Sequence, residues 1–62
     1  SETDKLALML HYLSGYSHEE IASILEASTA SVKSRIYRAR RQLRQEMLDM
    51  MEAMGINYRM SR

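Results

Sequence analysis

Residues 28–44, STASVKSRIYRARRQLR, hold six basic side chains (Lys33, Arg35, Arg38, Arg40, Arg41 and Arg44) and no acid. At about 100° per residue the stretch sorts into two faces. Val32, Ile36, Ala39 and Leu43 fall on one apolar stripe. Ala30, Lys33, Ser34, Tyr37, Arg38, Arg41 and Arg44 fall on the opposite side. An apolar stripe backed by a basic face fits a helix that packs on a small core and offers its other side to a polyanion. A plainly solvated charged face is the alternative. The unbroken run of cations, with a docking scaffold just upstream, favours the anion-binding reading.

The scaffold is read from the residues before Ser28. Ser17-His18-Glu19-Glu20 is a capping box, in which the Ser17 hydroxyl takes the Glu20 amide and the Glu20 carboxylate returns to the Ser17 amide. It opens a short second helix over about 18–25, with Ile21, Ile24 and Leu25 facing inward and Ala22 allowing close approach. Glu26-Ala27 forms the turn, and Ser28 caps the basic helix. Before these, residues 3–14 read as a first helix, capped by Thr3 with Asp4 in its first turn and stopped by Gly15. Leu6, Met9, Leu10 and Leu13 form its inward stripe, with Leu8 and Tyr12 off it, while Tyr16 precedes the next cap and staples against the helix behind it. Met47, Met50 and Met54 prolong the stripe of the basic helix, which is expected to run from 29 to 54 and stop at Gly55. Leu48 and Met51 project elsewhere and form a candidate surface for a protein partner, and 55–62 reads as a tail.

The expected fold is all-α: one small domain over 1–62 with three helices, or four, the last of them long, containing a helix-turn-helix. A short helix, a tight turn and a basic helix are the layout in which the second helix enters the DNA major groove.

Composition narrows the function classes. The net charge is only +1, but residues 1–27 set Lys5 against five acids, so the positive charge is concentrated in 28–44. That points to a localised anion-binding surface. There is no Cys, hence no disulfide and no thiolate metal site, and a cytoplasmic location is expected. No apolar run approaches the roughly 20 residues of a membrane span, so no membrane partner is expected. His11 and His18 have no Cys or acid at metal-ligand spacing, and Ser14 and Ser17 have no nucleophile setting. Neither catalysis nor a cofactor is indicated.

The string SHEEIASILEASTASVKSRIYRARRQLR resembles the C-terminal DNA-binding domain, region 4, of bacterial sigma factors, most closely the extracytoplasmic-function (ECF) type. The pattern there is roughly S-x-x-E-I-A-x-x-L-G-I-S-x-G-T-V-K-S-R-L-x-R-A-R-x-x-L. Ser17, Glu20, Ile21, Ala22, Leu25, Ser28, Val32, Lys33, Ser34, Arg35, Arg38, Ala39, Arg40 and Leu43 match in register, and Lys5 to Gly15 matches more loosely. Three positions depart from it. Glu26 stands where the family has a Gly suited to positive φ, Ala27 replaces a larger apolar residue, and Ala30-Ser31 replaces Gly-Thr. The promoter-melting domain of full sigma factors has no counterpart here, so an excised domain or a stand-alone sigma-like protein is expected.

The resemblance implies binding to the −35 element of promoter DNA, contact with the flap of the beta subunit of core RNA polymerase, and coverage by an anti-sigma factor. On the exposed face, Lys33, Ser34, Tyr37 and Arg38 are the expected base contacts, with Lys33 or Arg38 on guanine. Ser28, Ser31, Arg35, Arg41 and Arg44 are the expected phosphate contacts. Arg35 has a second reading as a partner for Glu19 or Glu20, and Arg40 snorkels over the stripe. Two other functions remain open: a dimeric helix-turn-helix activator with Met47–Met54 as its seam, and a module acting mainly through protein contacts.

Overall fold

The computed structural model describes residues 1–56. Three helices follow in order: α1 (Glu2–Tyr12), α2 (His18–Leu25) and α3 (Thr29–Ala53), with no strand among the described residues. The fold is a small all-α domain containing a helix-turn-helix, and its last helix is the longest. The expected tail lies, from residue 57 onward, outside the described residues.

Local chemistry fixes the helix ends. Ser1, not Thr3, caps α1: its hydroxyl accepts from the Asp4 amide at 3.3 Å. The helix ends at Tyr12, two residues earlier than expected, and Gly15 follows at φ 76°. The α2 box is complete. The Ser17 amide donates to Glu20 Oε1 at 2.8 Å, and the Glu20 amide donates to Ser17 Oγ at 3.1 Å. At the other end of α2, Glu26 adopts the left-handed conformation at φ 54°, and the Ala27 amide donates to the Ala22 carbonyl at 2.8 Å. Glycine would adopt this conformation freely, and here a side chain bears the strain. The Ser28 hydroxyl then accepts from the Ser31 amide at 3.1 Å and starts α3.

The core is compact. Ala7 from α1, Ile21 and Ala22 from α2, and Val32 and Ile36 from α3 are buried together, with Leu8, Leu10 and Leu25 packed against them. Ala39 is buried beside this cluster. The alanines matter because a methyl group lets helix backbones approach closely around the two large, fully buried side chains, Ile21 and Val32.

One expected face is turned, and another is covered for only part of its length. In α1, Asp4 and Ala7 are the buried residues and Leu8 is half-buried, whereas Leu6, Met9 and Leu13 are exposed. Leu6 to Leu10 is apolar without interruption, so several registers present an apolar stripe, and the packing selects the one that also buries Asp4. In α3, the stripe is buried only through Ala39. Leu43 is 48% exposed, and Met47, Met50 and Met54 are exposed as well. They continue the periodicity of Val32 and Ile36, but α1 and α2 are too short to cover them. Ile24, also expected inward, is half exposed.

Truncation should separate the two halves of α3. Ile36→Ala should cost about 2–5 kcal/mol in chemical denaturation, while Met50→Ala stays within about 0.5 kcal/mol. At the strained turn, Glu26→Gly should raise stability by about 0.5–1 kcal/mol, read from the same curves.

Candidate nucleic-acid interface

The structure gathers most of the expected DNA contacts onto one side of α3. Ala30, Lys33, Ser34, Tyr37, Arg38, Arg41 and Arg44 are all exposed, opposite Val32, Ile36 and Ala39, which are buried. Helical periodicity alone places them so: each lies well away from the stripe held by α1 and α2. The face carries four cations and no acid. Its acidic counterweights, Glu46, Asp49 and Glu52, come only in the second half of α3.

Ser28 is exposed and Ser31 is half-buried at the start of this helix. The Ser28 hydroxyl already serves as the cap, leaving the other early amides of α3 as donors. Arg35 is half-buried on the flank, and among the described residues it forms no ion pair. The Glu20 carboxylate is occupied by the capping box instead.

Arg38 differs from its neighbours. Its Nε donates to Asp4 Oδ2 and its Nη2 donates to Asp4 Oδ1, both at 3.0 Å. This two-point pair ties the first turn of α1 to the middle of α3. Asp4 is 5% exposed, while the Arg38 side chain remains 57% exposed. The hydrogen bonds from Arg38 lower the Asp4 carboxyl to about 2 from its ordinary 3.8, against an opposing effect of desolvation. Asp4 in turn raises Arg38 above the usual arginine value, through the same hydrogen bonds. In the sequence, Asp4 stands out only as a first-turn acid favoured by the dipole of α1. Nothing local announces a contact between residues 34 positions apart.

Arg40 turns away from the basic face. It donates to the Tyr12 hydroxyl, and its guanidinium carbon lies 5.4 Å from the centre of the Tyr12 ring. It thereby covers an apolar groove lined by Leu8, Met9, Tyr12, Leu13 and Leu43. Leu48 and Met51 are half-buried on the distal part of α3, and the more exposed apolar residues there are Met47, Met50 and Met54.

His11 and His18 stack with ring centres 4.7 Å apart, and His11 Nδ1 is 2.9 Å from the Tyr16 carbonyl oxygen. No group of three or more potential metal ligands occurs among the described residues. No described helix is long and apolar enough to cross a membrane.

A short capped helix, a left-handed turn and a long helix with a free cationic face define a helix-turn-helix domain. The family model described as sigma-70, region 4 matches residues 1–43, and the chain belongs to that family. The match spans all of α1 and α2 and the covered part of α3. Members of this class are DNA-binding regulatory domains with a role in transcription, not catalysts. No curated protein and no solved structure matches the chain.

The Asp4–Arg38 pair predicts a specific acid sensitivity. A carboxyl held at about 2 in the folded chain and near 3.8 when unfolded stabilises the fold in full above about pH 4. That contribution should disappear as pH falls from 3.8 through 2. Thermal melts between pH 2 and 6 should show this loss in the native chain, and Asp4→Ala should flatten the curve over the same window.

Proposed function

We propose that this domain reads the −35 element of promoters as the C-terminal part of an ECF-type sigma factor, directing RNA polymerase to start transcription. The observation that carries the proposal is the joint one: a region-4 family match over residues 1–43 and an acid-free cationic face on the second helix of the motif. The VKSRIYRAR run, the most specific part of the ECF resemblance, builds that face.

In this reading α3 lies in the major groove. Lys33, Ser34, Tyr37 and Arg38 meet base edges. Lys33 supplies a point charge to guanine acceptors, Ser34 donates or accepts, and the Tyr37 ring packs on a thymine methyl or a sugar. Arg41 and Arg44 hold phosphates along one strand, Arg35 holds one from the flank, and Ser28 and Ser31 place the start of α3 against another. The apolar groove between α1 and α3, with Leu43 and the exposed methionines beyond it, suits protein contacts. Core RNA polymerase, through the flap of the beta subunit, and an anti-sigma factor are the partners proposed for this side of the domain, with Leu48 and Met51 at its edge. Such a role places the protein in the cytoplasm.

The exposed stripe from Leu43 to Met54 favours a second reading, a symmetric dimer that binds DNA as a transcriptional activator. Sedimentation distinguishes the two, because a chain that stays monomeric at high concentration excludes a two-fold reader.

Phosphate and base contacts should separate in binding titrations on duplex DNA. Arg41→Ala should weaken binding to every sequence alike and reduce the slope of log K against log salt by about one unit. Lys33→Ala or Tyr37→Ala should instead lower the preference among sequences. Equal losses on all duplexes for all three variants would contradict the assignment.

A further inference from the structure

We propose that Asp4 is a positioning residue for DNA readout, fixing the Arg38 guanidinium so that its free end presents two parallel donors to a guanine. The inference rests on the promoter-reading role above and adds a residue outside the recognition helix to it.

The guanidinium carries five N–H groups in one plane. Asp4 takes the side edge: Nε donates to Oδ2 and Nη2 to Oδ1, both at 3.0 Å. The end edge remains, with both hydrogens of Nη1 and the second hydrogen of Nη2. Among the described residues no acceptor engages them, and the Arg38 side chain is 57% exposed. Guanine presents O6 and N7 as adjacent acceptors in the major groove, a spacing that an arginine edge matches with two hydrogen bonds. A guanidinium already held in its plane by a carboxylate loses less rotational freedom on meeting such a pair.

The holder is itself fixed. Asp4 is buried at 5% exposure in the first turn of α1, and the Ser1 hydroxyl bonds its amide. Arg38 lies on the same exposed side of α3 as Lys33, Ser34 and Tyr37. A guanidinium stretched out from its stem would instead sweep a wide arc over this face. The pair thus converts a flexible surface cation into a directed reader. It also distinguishes Arg38 from Arg41 and Arg44, which have no such holder among the described residues.

The test uses the purified chain and a pool of DNA duplexes with a randomised central stretch. Selected duplexes are then compared with versions in which a single guanine is replaced by adenine. The native chain should prefer guanine at one position by on the order of ten- to a hundredfold. Arg38→Ala should abolish that preference and leave the others. Asp4→Ala should reduce it about as far as Arg38→Ala does, and the double variant should lose no more. Circular dichroism establishes that each variant is folded, and Asp4→Asn, which keeps the shape but not the charge, serves where Asp4→Ala does not fold.

Two results would overturn the inference while sparing the promoter-reading role. One is full guanine preference in a folded Asp4 variant. The other is a gain in affinity for all duplexes with a steeper salt dependence, the signature of an acid that merely masks Arg38. A native chain without base preference at any position would overturn the promoter-reading role and this inference together.

Discussion

Close approach of three helix backbones around Ile21, Val32 and Ile36 is the constraint on which the rest of the structure depends. With so few large side chains inside, the alanines at 7, 22 and 39 do as much as the bulky residues, because each lets a neighbouring helix come near. That packing fixes the rotation of α3 about its own axis. Once Val32, Ile36 and Ala39 face inward, Lys33, Tyr37 and Arg41 face outward with no further choice. The cationic surface is therefore a by-product of core packing, and a core substitution that rotates α3 would displace every side chain of that surface together.

The connection between α2 and α3 illustrates how a small domain tolerates local strain. Glu26 holds a left-handed conformation that glycine would adopt freely. The cost is offset at both sides: the complete capping box at Ser17 and Glu20 secures the start of α2, and the Ser28 cap secures the start of α3. Ala27 leaves little side-chain volume at the turn.

Legibility in the sequence followed the contrast of each segment. The caps of α2 and α3 could be read from a few adjacent residues, because their chemistry is local, whereas the left-handed position at Glu26 followed only from the resemblance, whose pattern has glycine there. The cationic face could be read because the run from Lys33 to Arg44 has a sharp division between apolar and basic positions. In α1 that contrast fails: Leu6, Ala7, Leu8, Met9 and Leu10 are consecutive, and Asp4, the polar residue actually buried, looked like an ordinary first-turn acid. The pairing of Asp4 with Arg38 joins α1 to the middle of α3, far apart in the chain, so no local rule reveals it. The exposure of Leu43 and the methionines was hidden for a different reason. Periodicity tells which side of a helix is apolar, but not how far along it a covering helix reaches.

The distal half of α3 extends past the body that anchors its beginning. Held apart, a segment as short as residues 44–53 would spend most of its time as coil, since the first turn of any helix is costly to form. Here that turn is already in place, because the buried half supplies it, and each further residue adds a hydrogen bond to an existing template. Side-chain bonds from Gln42 to Glu46 and from Gln45 to Asp49 add small increments along the way. The result is a rod seeded by the core yet unsupported beyond it, whose amides should exchange with solvent in a gradient, fastest at Ala53 and slowest where Ala39 enters the interior.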